Sequence, residues 1–298
     1  MSAPAATATQ QREQLVAGAI KEISHIATLP EITLKIVELV ENPKSTAQDL
    51  HKVISNDPAL CTRILKVVNS SFYGLPGQIG SINRAIVMLG LNAVKNIAIA
   101  ASLAKLFRGG DINPAFTARK LWEHSVAVGA TTKLLADKLK IGLGDEAFLA
   151  GLMHDIGMMV EMQFDRNKLS EAVRLVGAGS DGVPCNSMLE AEDQSFGADH
   201  QAFGAALCDK WKFPRNFVLV TGHHHRPLEL PTDSRTLPSL AYVADRLAGE
   251  QPGGFRMDLQ TLDIDPAVME QLKLSPERLA EIRLALPEHL KTAAGLLG

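Results

Sequence analysis

Six of the nine histidines in this 298-residue chain lie between His124 and His225. They run as His124, then His154 directly before Asp155, then His200, then His223, His224 and His225, with Asp245 following. Neutral imidazole nitrogen and carboxylate oxygen suit Fe, Mn, Zn or Ni, whereas an all-oxygen set would point to Mg or Ca. The stretch from Ala147 to Met159 is strongly apolar, with Phe148, Leu149, Leu152, Met153 and Ile156. A charged Asp155 inside it is costly without a partner, and a metal ion is the natural one. Each element alone has an ordinary explanation. A lone histidine on an apolar face is more often a hydrogen-bonded core residue than a ligand, and a triple histidine suits a solvated helix end near the negative pole of the dipole. The order of the residues and their apolar surroundings point to a metal centre.

To converge, these side chains must sit on facing elements. Apolar residues recur at spacings of three and four, as in Ile32, Ile36, Leu39 and Val40 or Leu121, Val128, Leu134 and Leu135, and strict alternation is nearly absent. The fold class is therefore all-α. Ser45 with Gln48 resembles a capping box, and Asp57 before Pro58 places a cap ahead of a first-turn proline. These signals predict helices over 46–55 and 58–70, then one from about Ser81, and others near 91–107, 115–140, 145–161, 165–177, 200–212, 215–224 and 238–249. His154 and Asp155 then fall on one helix about 100° apart, able to approach one metal or to let the aspartate bridge two.

Two glycines and a proline near 109–114 suggest a boundary, which divides the chain into a loose tail (1–18), an N-terminal helical subdomain (19–110), a second helical subdomain (111–250) and a C-terminal extension (251–298). The extension reads as an appended cap or dimer element. Hydrophobic residues make up 46% and charged residues 21%, which excludes a mainly disordered chain. A net charge of -3 without a basic stripe argues against a dedicated nucleic-acid binder. Cys61, Cys185 and Cys208 are widely separated, which fits a reducing compartment. The apolar run Ala85 to Phe107 is broken by Gly90, Asn92, Lys95 and Asn96, so buried helices are expected and not a membrane span. A soluble, cytoplasmic protein is the expectation.

The span "FLAGLMHDIGMM" resembles the central motif of the HD superfamily of metal-dependent phosphohydrolases, and the order H, HD, H, HH, D is similar to that of its HD-GYP branch. More specifically, Leu29 and Pro30, "VISNDPALCTRILKVVNSSFYGLP", "INRAIVMLGLNAVKNIAIA", "GADHQAFGAALCDKWKFPRN" and "HHHRP" resemble the HDOD family, the HD-related output domain, over about Ile20 to Glu250. The resemblance implies a multi-helix HD-type bundle with an N-terminal helical subdomain. It also implies metal ligands at His124, His154, Asp155, His200, His224, His225 and Asp245, leaving His223 spare. Three departures from the HD-GYP pattern accompany it. Met158 stands where a lysine would steady phosphate, "HHHRPLELP" lacks the glycine-tyrosine-proline signature, and Lys120 replaces a glutamate associated with a third metal.

Two function classes follow. The one preferred is a bacterial signal-transduction output module acting through protein partners such as cyclic-dinucleotide enzymes or kinases, with room for a homodimer and no membrane partner. The alternative is an active phosphohydrolase on nucleotides or cyclic dinucleotides. Its divalent metals, Fe or Mn first and Zn or Ni after them, would activate water and clamp phosphate, with Asp155 bridging and Asp245 as ligand or orienting group. Third comes DNA binding by a helix-turn-helix over Ser45 to Asn69, whose reading helix offers only Thr62, Arg63, Lys66 and Asn69. Glu192 is a candidate support for a ligand histidine. Trp122 and Trp211 could wall the pocket, and the segment Asn69 to Gly74 reads as a turn or a surface loop.

Overall fold

The computed structural model describes residues 7–23, 30–104, 106–107, 110–177 and 183–296, and no β-strand occurs among them. Leu29 and Gly109, used above as motif and boundary, lie outside that set. The N-terminal half comprises α1 (Ala8–Glu22), α2 (Glu31–Glu41), α3 (Ala47–Ser55), α4 (Pro58–Val68), α5 (Ile82–Leu89) and α6 (Leu91–Leu103). Next come α7 (Ala118–Lys138), α8 (Gly144–Met153), α9 (Ile156–Phe164), α10 (Arg166–Val176), α11 (Met188–Phe196), α12 (His200–Lys210), α13 (Arg215–His223) and α14 (Thr236–Gly249). Helices α15 (Pro266–Gln271) and α16 (Pro276–Ala293) complete the order.

Local chemistry sets many of the starts. Side chains of Asp57, Ser81, Thr117, Asp165, Ser187, Asp199 and Ser275 each accept a hydrogen bond from a first-turn backbone N–H, satisfying donors that the helix cannot pair itself. At α3 the cap is Thr46 with Asp49, not Ser45 with Gln48. The Ser45 hydroxyl instead donates to Leu39 O and accepts from the buried Lys95 ammonium. Residues 8–18, expected in a loose tail, belong to α1, which packs against α9 and α12. Helix α11 was not expected, although Ser187 followed by Glu190 has the form of a capping box.

Helix α4 buries Leu60, Ile64, Val67 and Val68, so its apolar face belongs to the core. The Asn69 amide is used locally: it donates to Leu65 O and Ile79 O and accepts from Ile79 N, clasping the loop that follows. Phe72 from that loop packs its ring on Phe148 and His289, tying the N-terminal half to α8 and α16.

The long helix α7 is the axis of the second half, in contact with α8, α14 and α16. Its approach to α8 depends on Gly151, where a Cβ would lie 2.3 Å from Thr132 Oγ1 and 2.9 Å from Val128 O. The expected single helix over 145–161 is two, α8 and α9, broken at His154 and Asp155. At the break the His154 imidazole hydrogen-bonds Gly151 O through Nδ1. Beyond it α9 lies so close to α12 that a Cβ at Gly157 would sit 1.8 Å from His200 O. His154 and Asp155 therefore do not share a helix face. They occupy a corner from which one reaches towards α7 and the other spans the bundle. No helix among the described residues is long and apolar enough to cross a membrane.

Candidate metal centre

The seven residues singled out in the sequence are delivered by five segments, and the structure brings all seven together. His124 comes from α7, His154 and Asp155 from the α8–α9 corner, and His200 from the first residue of α12. His224 and His225 follow α13, and Asp245 comes from α14. His154, Asp155, His200, His224 and Asp245 are fully buried, and His124 is 4% exposed.

The donors form two sets. His124, His154 and Asp245 make one, with ligand atoms all within 4.8 Å of one another, and Asp155, His200, His224 and His225 make the other. Asp155 joins them: its Oδ2 lies 3.1 Å from His154 Nε2 and 3.8 Å from His124 Nε2, while its Oδ1 lies 3.2 Å from His224 Nε2 and 3.6 Å from His200 Nε2. His124 Nε2 is 3.1 Å from Asp245 Oδ1. Among the described residues His223 joins neither set.

Hydrogen bonds on the far side of the rings fix the tautomers. His154 Nδ1 lies 2.8 Å from Gly151 O, His224 Nδ1 lies 3.2 Å from Val220 O, and His200 Nδ1 lies 2.8 Å from Glu192 Oε2. Each acceptor requires the Nδ1 proton, so each Nε2 presents a bare lone pair to the centre. The Nε2 lone pairs of His200 and His224 consequently face each other at 3.3 Å, and His225 Nε2 lies 3.1 Å from His200 Nε2. Such an arrangement requires a cation, either a proton or a metal ion. His225 is steadied by its backbone N–H donating to Gln201 Oε1 at 3.1 Å.

A metal fits this donor set on a second count. His124 Nε2, His154 Nε2 and both oxygens of Asp155 and Asp245 are buried without an aligned hydrogen bond, despite the short separations. Buried polar atoms in native proteins are nearly always satisfied, and a metal ion held among these atoms would satisfy them. Nitrogen with carboxylate oxygen suits a divalent transition metal.

The electrostatics express the same conflict. Burial disfavours charge on His154, yet the carboxylates of Asp155, Asp245 and Asp258 outweigh it and lift its pKa to about 9. His200, opposed by burial but flanked by Glu192, Asp155 and Asp199, is lifted to about 10. Burial dominates at His224, pushed down to about 4, and holds His225 well below the usual histidine range. Behind the centre, burial and the neighbouring Glu192 push the Glu161 carboxyl well above its ordinary value.

Two groups escaped the sequence reading. Glu161 lay within a hydrophobic stretch with no spacing signal. Asp258, in the segment after α14, places its carboxylate beside both sets, within 4.8 Å of ligand atoms of His124 and Asp155 and also of His225 and Asp245. Conversely, Met158 is fully buried, and the Lys120 ammonium donates to Pro114 O. Trp122 rests on Phe107 and Trp211 on Phe213.

An all-helical bundle holding histidines and aspartates around an interior point, with the HD pair at a helix corner, is the architecture of the HD class. The chain matches the HDOD domain over residues 26–227, and it belongs to that family. It is similar to an HDOD domain protein of unknown function from Geobacter sulfurreducens, with 24% identity, TM-score 0.69, and coverage of 94% of this chain and 99% of the other. A candidate signal transduction protein from Marinobacter aquaeolei VT8 has TM-score 0.77 at 21% identity, covering 96% of this chain and 65% of the other. An uncharacterized protein from Treponema pallidum (strain Nichols) is 26% identical over 251 residues, and the match spans 81% of this chain but 46% of that relative.

Proposed function

We propose that the chain is a signalling output module whose interior pocket holds divalent metal as a structural element, and that it acts through protein partners. The observation that carries this reading is a set of seven donor side chains gathered in the interior of the bundle. The ligand atoms are buried, Met158 takes the place of a phosphate-steadying lysine, and the turn after the paired histidines lacks the glycine-tyrosine-proline element. Family membership and the fold shared with the Marinobacter protein agree with a signalling role. The cognate test is a pull-down with wild-type chain and with Asp245→Asn. Recovery of signalling enzymes by the wild type, and by the variant wherever it remains folded, supports partner recruitment, and recovery of none by the folded wild type contradicts it.

The presence of all seven donors favours a second reading, a metal-dependent phosphodiesterase. A divalent metal there would supply Lewis acidity towards a phosphoester. Asp155 would hold both donor sets in register through its two oxygens, and Glu192 would keep His200 Nε2 aimed inwards. Under the preferred reading, manganese- or iron-loaded protein leaves bis(p-nitrophenyl) phosphate and cyclic dinucleotides intact. Turnover that disappears in Asp155→Asn would establish the second reading instead.

A further inference from the structure

We infer that Asp258 is an additional metal ligand, supplied by the segment that follows α14, and that metal binding fastens this segment over the centre. The inference rests on the reading of the cluster as a metal site.

Asp258 is placed by its own backbone. It is the third residue of a tight turn from Arg256 to Leu259, closed by Leu259 N donating to Arg256 O at 3.0 Å. Its neighbours Phe255, Met257 and Leu259 are all buried, so the turn is pressed into the bundle and does not hang from it. The Phe255 ring packs on His124 with centroids 5.4 Å apart. Further along, Arg246 Nε donates to Asp263 O at 3.0 Å, which pins the exit of the segment to α14.

The carboxylate so delivered has a side-chain exposure of 0%, and neither oxygen has a hydrogen-bond partner among the described residues. The cationic group near it among those residues is His225, with Nε2 at 3.5 Å. A structural aspartate in such a position would receive backbone N–H groups or a guanidinium. Arg256, two residues away, forms no ion pair with it among the described residues, and Arg246 is committed to Tyr242 O, the Tyr242 ring and Asp263 O. Like Asp155, Asp258 offers an oxygen within 4.8 Å of ligand atoms belonging to both donor sets. Asp258 lies beyond residues 26–227, the part matched to the family domain.

Metal affinity and hydrogen exchange of wild type and Asp258→Asn test this, with manganese as the probe. The wild type is expected to bind manganese and to show slowed exchange over residues 250–263 on loading. Asp258→Asn is expected to bind it at least about tenfold more weakly, since even partners outside the ligand shell contribute that much, and to lose the slowing. The metal-free variant should melt no lower than the metal-free wild type, because the substitution removes a buried carboxyl that lacks a hydrogen-bond partner among the described residues; a purely structural aspartate would lower it. Equal affinity and equal protection in the two forms would overturn this inference alone. Failure of the wild type to bind manganese, iron or zinc would remove the metal reading and this inference with it.

Discussion

The histidines shift in opposite directions at short range, and the balance between burial and the neighbouring carboxylates accounts for it. His200 lies against Glu192, which accepts from both its Nδ1 and its backbone N–H. Replacing Glu192 by Gln keeps an oxygen acceptor but removes the charge that raises imidazole basicity. Metal affinity should fall roughly tenfold, measured by competition with a chelator. In metal-free protein the raised pKa of His200 has a definite sign. Its protonated form contributes stability fully below the ordinary histidine value of 6.5, and that contribution is lost as pH rises towards about 10. His200→Gln should therefore destabilise metal-free protein more at pH 6 than at pH 10 in denaturant titrations; an equal cost at both would contradict the charge assignment. The sequence made the seven converging side chains legible by residue type, by order and by the family resemblance, and Glu192 as a candidate support for a ligand histidine. Asp258 was hidden because nothing local distinguishes an aspartate in a short turn until the chain folds back.

Among the elements, the α8–α9 corner does most to build the centre. Periodicity alone reads 145–161 as one apolar helix, because hydrophobic spacing is continuous across the break and both halves are buried. What the pattern omits is the tertiary demand that α9 lie against α12, which the missing side chain at Gly157 permits. Gly157→Ala should force these helices apart, costing about 3 kcal/mol and lowering metal content together with stability. A variant with unchanged melting temperature would show that the contact is looser than described. Helix α11 was missed because a short segment between a loop and a capped helix has little periodicity, yet it carries Glu192 to His200.

For the whole molecule, the two halves divide labour. The N-terminal helices form a buried framework clasped to α8 and α16 by Phe72, and the C-terminal segment, expected to be an appended cap, folds back to line the centre. The helical class and most element positions followed from spacing, while the return of 251–263 over the site is a long-range event that no local pattern records. Because a metal here would bind the folded chain and not the unfolded one, loading to a hundredfold excess over Kd should stabilise the protein by about 2.7 kcal/mol. The most direct test of the metal centre is elemental analysis of protein purified without a histidine tag, beside Asp155→Asn prepared identically. Between one and two equivalents of iron, manganese or zinc in the wild type, strongly reduced in the variant, is the predicted result. A folded wild type that carries no transition metal and takes up none on incubation would contradict it.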